Sequence, residues 1–246
     1  MSAPDVCDLS KLATVALFDG LAREQLCALK SLLHRRTFSA RTTLITVEQM
    51  GEVVYIIING TVKVCVDQED GTEVIIAMLG AGDVVGEMSP LDLNCRCANV
   101  ITIEETTMLW MERGHFRQCL RSMPIIAYNL ACILAKRLRV ANEQIQMFAT
   151  REIEARVARQ LLAFADQYGK LASDGDIFIP IRLTQSDIAS LVGATRESIN
   201  KVIVSYKERG YIFVDNSRHI TIRNCKALAN RCGWPTELKP PTAVAV

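Results

Sequence analysis

The texture of residues 38–112 constrains this chain more than any other feature. Short runs rich in Val, Ile and Thr (TTLITV, VVYIII, TVKVCV, TEVIIAML, NVITIEE) alternate with turn signals at Asn59-Gly60, Asp70-Gly71 and Gly80-Ala81-Gly82-Asp83. β-Branched side chains suit a pleated surface and resist helices. Asn-Gly and Asp-Gly tolerate positive φ, so each predicts a hairpin between its flanking runs. Strands this short and regularly spaced predict a sandwich or barrel. The chain has 246 residues and is 50% hydrophobic, enough for such a domain and a second one.

The flanks are helical. Residues 1–20 show little periodicity, whereas residues 22–36 place Leu26, Leu29, Leu32 and Leu33 at helical spacing. Residues 124–149 read as one long helix. Ala127, Ala131, Leu134, Leu138, Ala141, Ile145 and Phe148 recur in alternating steps of four and three. That is a heptad stripe, and it predicts a dimer seam carried by Leu134, Leu138, Ala141, Ile145 and Phe148. A further helix is expected over about residues 151–168, then a short strand in DIFIPI.

Two short helices follow. Thr184 can cap the first, with Asp187 three residues on, and Gly193 can take a left-handed turn after it. Thr195 can cap the second, which should end before Gly210. Residues 212–215 and 219–222 read as a small β-wing around Asn216-Ser217. This is the pattern of a helix-turn-helix, whose second helix enters the DNA major groove. Ile188, Leu191, Val192, Ile199, Val202 and Ile203 would hold the pair together, leaving Arg196, Glu197 and Lys201 outward. Arginine suits guanine O6/N7 and glutamate the cytosine amino group. The hydroxyls of Thr184, Thr195 and Ser198, near the two helix starts, suit phosphates, and Gln185 is a further expected DNA contact.

Charge agrees. The whole chain carries a net +1, yet residues 182–231 hold nine Lys/Arg against four Asp/Glu. One basic end beside an acidic remainder suits contact with a polyanion.

A second constellation is Gly82-Asp83-Val84-Val85-Gly86-Glu87-Met88, followed by Arg96-Cys97-Ala98. Gly86 would let a ligand approach the backbone. Glu87 can accept from a ribose hydroxyl, and Arg96 can hold a phosphate with two parallel N–H groups. A tight turn with a surface ion pair between Glu87 and Arg96 fits these residues equally well.

From about residue 16 to 224 the chain resembles the superfamily of the cyclic AMP receptor protein and the fumarate–nitrate reduction regulator. The resemblance rests on Gly82-Asp83-x-x-Gly86-Glu87, the downstream Arg96-x-Ala98, the long helix, and TRESINK at 195–201, in that order. It implies an α+β fold: an N-terminal antiparallel β-roll (a double-stranded jelly-roll), a long dimerisation helix and a C-terminal winged helix-turn-helix. The implied segments are 16–123 for the effector domain, 124–149 for the dimer helix and 150–225 for the DNA-binding domain. Beyond the resemblance, Pro235, Pro240 and Pro241 mark the end of the chain as a disordered tail, set at 226–246.

The resemblance further implies a homodimeric bacterial transcription regulator. Cyclic AMP would be its non-covalent effector, with Glu87 at the ribose and Arg96 at the cyclic phosphate. Effector contacts are expected at Gly86, Glu87, Met88, Arg96, Cys97, Ala141 and Asn142. Arg196, Glu197 and Lys201 would read a palindromic site resembling TGTGA and its inverted repeat, with RNA polymerase as a further partner.

Three departures bear on the effector. Cys97 stands where the family has a hydroxyl residue, and thiols are weak donors. Ala141 stands where an adenine-contacting hydroxyl is usual, while Asn142 keeps the second polar contact. Pro90, Leu93, Asn94 and Cys95 replace small or acidic residues. Two alternatives therefore stay open: the same fold with a drifted pocket that is constitutive or senses another ligand or redox state, and a nucleotide-binding module acting on a protein partner.

Other chemistry is not indicated. No nucleophile elbow, P-loop or metalloprotease motif occurs, so no enzyme is expected. An iron–sulfur cluster needs closely spaced thiolates, and only Cys7 lies near the N-terminus. His34, His115 and His219 are scattered, so no metal site is expected from them. Cys95 and Cys97 could form a redox pair, but alternate residues of a strand do not approach closely enough for a disulfide. The first residues lack a basic n-region and a long apolar h-region, and no apolar run nears the ~18 residues a membrane span needs. A cytoplasmic protein with reduced thiols is the expectation.

Overall fold

The computed structural model describes residues 9–172 and 175–234. The chain divides into two compact units, one running to Gln68 and resuming over Ile76–Val140, the other made of Glu69–Ile75 and the chain from Ala141 on.

The first unit opens with helices α1 (Leu9–Ala13) and α2 (Arg23–Lys30) around a 3-10 turn at Ala16–Phe18. Strands β1 (His34–Phe38), β2 (Thr43–Ile45), β3 (Val53–Asn59), β4 (Val62–Asp67), β5 (Glu73–Leu79, of which the part from Ile76 belongs to this unit) and β6 (Val84–Val85) follow. Then come α3 (Met88–Asp92), β7 (Asn99–Thr102), β8 (Thr106–Glu112), α4 (Arg113–Ser122) and the long helix α5 (Pro124–Thr150). The strands form two four-stranded sheets, ordered β1-β8-β3-β6 and β2-β7-β4-β5. Helices cover the outer face of the first sheet. Val54, Ile56, Val84, Leu109 and Met111 pack there with Leu12, Phe18, Leu29, Phe116, Ile126 and Leu130. The alternate residues Ile57, Val85 and Met108 pack with Val62, Leu79 and Val100 of the second sheet. Burial on both faces explains why VVYIII is apolar throughout rather than alternating.

Three expectations for this unit need correction. Asn59-Gly60 does not make a hairpin. Gly60 turns at φ +93°, where a Cβ would fall 2.6 Å from Thr106 Oγ1 and 2.7 Å from Glu105 O, but β3 and β4 belong to different sheets. A local turn signal specifies reversal, not the pairing partner. Asp70-Gly71 does join sheet neighbours β4 and β5, and the Asp70 carboxylate accepts from Thr72 N at 2.8 Å. The helix expected over 22–36 ends at Lys30, and β1 starts at His34. Leu33 is buried in the core, while Arg35–Phe38 pair with β8 from Leu109 back to Thr106. Finally, the core begins before residue 16, because Leu12 is fully buried.

The second unit contains the end of α5, then α6 (Ile153–Tyr168), β9 (Lys170–Leu171), β10 (Ile177–Ile179), α7 (Gln185–Val192), α8 (Arg196–Glu208), β11 (Ile212–Val214), β12 (Ile220–Ile222) and α9 (Cys225–Cys232). Its sheet runs β11-β12-β10-β9. The β11–β12 hairpin is the expected wing. The tail expected from 226 starts instead as a helix. Asn224 caps α9 by accepting from Ala227 N at 2.9 Å, and Leu228, Ala229 and Cys232 are buried. The rest of that expected tail, 235–246, lies outside the described residues. Among the described residues, no single helix is long and apolar enough to cross a membrane.

Candidate effector and nucleic-acid sites

The effector constellation lies at the turn after β6. Gly86 sits at φ +82°, a left-handed conformation that a side chain strains. A Cβ there would fall 2.7 Å from Arg96 Nη1 and 2.9 Å from Ile45 Cδ1. Gly86→Ala is expected to lose about 1–3 kcal/mol of stability in denaturant unfolding, from strain plus crowding. An unchanged midpoint would show that the turn relaxes freely.

Arg96 is 7% exposed. Its Nη1 donates to Gly86 O at 2.6 Å and its Nη2 to Val53 O at 2.5 Å. Guanidinium has five N–H donors, so three remain for an anion. Burial pushes its pKa down, while Tyr55, Glu87, Cys97 and Glu52 act the other way. Tyr55 is pushed up by its own burial, with Arg96 and Arg36 opposing that shift. Gly51 makes room, since a Cβ there would collide with Ser89 of α3 and come within 3.1 Å of Arg96 Cζ.

Glu87 does not pair with Arg96 at the surface. Its side chain is 4% exposed and accepts from Arg137 Nη1 at 2.7 Å. Arg137 Nη2 also donates to Val84 O at 2.6 Å. The surface ion-pair reading is thus overturned, because both Glu87 and Arg96 are drawn inside by separate partners. Arg137 escaped sequence reasoning. It lies one turn before Ala141 on α5, beside the apolar stripe.

Gly86, Glu87 and Arg96 are brought together. Met88, the first residue of α3, is 49% exposed. Cys97 is exposed, as are Ala141 and Asn142 on α5. Along the seam, Leu138 is 62% and Ile145 67% exposed. The other two large seam residues are partly engaged by their own chain. Leu134 packs against the helical core, and the Phe148 ring lies 5.6 Å from the Arg156 guanidinium and near Gly193.

The helix-turn-helix is built by local chemistry. Thr184 and Asp187 form a reciprocal box: Asp187 N donates to Thr184 Oγ1 at 3.0 Å, and Thr184 N to Asp187 Oδ2 at 2.9 Å. Gly193 ends α7 at φ +61°, and Arg156 donates to Val192 O at 2.6 Å, placing a cation at that helix C-terminus. Thr195 caps α8, accepting from Ser198 N at 3.2 Å. One expected phosphate contact changes as a result. The Thr184 hydroxyl donates to Asp187 Oδ2 at 2.6 Å, so its single proton is committed to the cap. Thr195 and Ser198 share one hydroxyl hydrogen bond of 2.9 Å, leaving one proton between them.

Arg196, Glu197 and Lys201 are exposed on α8. So is Asn200, one turn after Arg196. Gln185 Nε2 donates to Asn200 Oδ1 at 2.8 Å, tying the start of α7 to the exposed face of α8.

Residues 35–123 match the cyclic nucleotide-binding domain model, and residues 155–231 the Crp-like helix-turn-helix domain. The chain is similar to the CRP-like cAMP-activated global transcriptional regulator of Mycobacterium tuberculosis, with 32% identity over 220 residues, 89% of this chain and 97% of that one. It is 31% identical over 196 residues to the cyclic AMP receptor protein of Thermus thermophilus, covering 80% of this chain and 87% of that one. The structure of FixK2 from Bradyrhizobium japonicum has the same fold, with a TM-score of 0.70 at 22% identity over 81% of this chain and 96% of that one. With a buried Gly-Glu…Arg turn in a two-sheet domain and a capped, winged helix-turn-helix, the chain belongs to the cyclic AMP receptor protein family of transcription regulators.

Proposed function

We propose that this regulator is a homodimer whose affinity for a palindromic DNA site is controlled by cyclic AMP. The observation that carries the effector reading is the burial of two opposite charges at one turn. Glu87 and Arg96 are 3% and 7% exposed, and such burial is costly unless the groups serve a ligand or a partner. Arg96 would take the cyclic phosphate on its remaining N–H groups, and Glu87 the ribose hydroxyl on its remaining lone pairs. The names of the Mycobacterium and Thermus relatives, both of which mention cyclic AMP, favour that nucleotide.

Met88, Cys97, Ala141 and Asn142 remain proposed effector contacts. Thr195, Arg196, Glu197, Ser198 and Lys201 would meet DNA resembling the TGTGA inverted repeat, RNA polymerase would be a further partner, and the place of action the cytoplasm. Effector raises DNA affinity only to the extent that it binds the DNA-competent arrangement better.

Calorimetry of the purified protein with cyclic AMP and with cyclic GMP tests the effector. Saturable heat with cyclic AMP is expected; no heat with either favours the drifted pocket, to which Cys97 and Ala141 already point. A salt-dependent DNA shift assay separates both from a module that acts on a protein partner.

Arg196→Ala is expected to cost about 1–3 kcal/mol on the specific site and to relax preference at one base pair per half-site. Equal losses on specific and random DNA would remove its base-reading role.

A further inference from the structure

Cys95-x-Cys97 was singled out by its spacing, and the effector reading uses only Cys97 of the pair. Around it burial alternates, with Arg96 buried between exposed Cys95 and Cys97. Glu48 N donates to Arg96 O and Arg96 N to Gln49 O, both at 2.9 Å, so residues 95–97 lie alongside residues 48–50. Alternation then sends Arg96 inward and its neighbours outward, and Cys95 and Cys97 are both exposed free thiols. Met50, 56% exposed, stands opposite Cys95. The Cys95 Sγ lies 4.0 Å from the Met50 Sδ.

Three sulfurs bound about 2.3 Å from one ion in a trigonal plane are about 4 Å apart. Met50 and Cys95 already hold that separation. Cys97, two residues on and exposed like Cys95, would supply the third sulfur by rotation about its Cα–Cβ bond. The donor set selects the metal. Two thiolates and a thioether are soft ligands suited to monovalent copper. Zinc prefers four nitrogen, sulfur or oxygen donors in a tetrahedron. An iron–sulfur cluster needs four cysteines. No group of three or more His, Cys, Asp or Glu suited to a metal occurs among the described residues. A harder ion would therefore lack ligands here, whereas a soft one gains its third ligand from methionine.

We propose that Met50, Cys95 and Cys97 form a site for a soft monovalent ion, Cu(I). Binding converts both thiols to thiolates and releases two protons, leaving a three-coordinate complex of net charge −1. The site flanks Arg96, so an ion there would brace the backbone that carries the phosphate-binding guanidinium. That consequence rests on the effector reading above; the metal site itself does not.

The test uses the full chain with Cys7, Cys27 and Cys132 changed to Ser, which removes the other exposed thiols among the described residues and the N-terminal one. Under anaerobic conditions it is titrated with Cu(I) against the chromogenic chelator bicinchoninate. One equivalent per chain should be retained. Cys95→Ser and Cys97→Ser should each abolish retention, and Met50→Leu should weaken it at least about tenfold. Ag(I), a redox-inert substitute, should shift one methionine methyl resonance in the ¹³C spectrum, and that resonance should be missing from Met50→Leu. All three side chains are exposed, so an unchanged thermal melt should confirm that each variant is folded. Retention of one equivalent by folded Cys95→Ser and Cys97→Ser variants would overturn the site. So would a Met50 methyl that ignores Ag(I).

Discussion

Leu138→Glu is expected to yield a folded monomer. Leu138 is 62% exposed and Ile145 67%, and with Ala141 they form an apolar stripe at heptad spacing along α5. Two such stripes packed about a two-fold axis would set each Leu138 close to its symmetry mate. Glutamate there would bury two like charges, which neither desolvation nor their mutual repulsion allows. Within one chain the position makes little contact, so the fold itself should survive. Ultracentrifugation should show a single species of half the parent mass. DNA affinity should fall with it by about a hundred- to ten-thousandfold, since separate half-site binders lose their effective concentration. An unchanged dimer would place the interface elsewhere. Leu138→Met, which keeps the apolar volume, should remain dimeric.

What could be read in advance divides by distance along the chain. The helix-turn-helix was legible because its determinants are local. Thr184 meets Asp187, Gly193 needs positive φ, and Thr195 meets Ser198, each within a few residues. The charged turn was legible as a motif, yet its wiring was not. Glu87 pairs with Arg137, fifty positions away, and Arg96 reaches back to Val53. Nothing in spacing announces such partners. Asn59-Gly60 shows the same limit in a sheet, since a turn residue sets a local backbone angle while sheet membership depends on the whole two-layer packing. The run through Leu32 and Leu33 reads as helix because burial is periodic there. Pairing of the following residues with β8, about seventy positions on, decides otherwise. Residues 226–232 were lost to an expected tail because prolines further on dominated the composition, although Asn224 is a good cap.

Replacing Arg96 by leucine should remove cyclic-nucleotide binding, and the structure adds that it should also touch stability. The guanidinium does two jobs at once. It ties Gly86 O to Val53 O across the turn, and under the proposed function its other N–H groups receive the phosphate. Leucine leaves both carbonyls without that donor, at about 1–3 kcal/mol for each that stays dry. Part of this is offset, because burial of the guanidinium is itself unfavourable, as its lowered pKa indicates. Unfolding should therefore shift by less than the two losses together. Ligand affinity has no such compensation. Truncating one member of a buried charge pair costs about 2–5 kcal/mol, which is about thirtyfold to several-thousandfold. Arg96→Lys separates charge from shape. An ammonium keeps the charge but cannot span two carbonyls and grip a phosphate in one plane, so lysine should stay close to leucine in calorimetry with cyclic AMP. If lysine instead restored binding to the parent level, charge alone would suffice and the fork geometry would play no part. If leucine bound cyclic AMP as the parent does, the nucleotide would sit elsewhere, and the buried Arg96 would be a strut of the turn and nothing more.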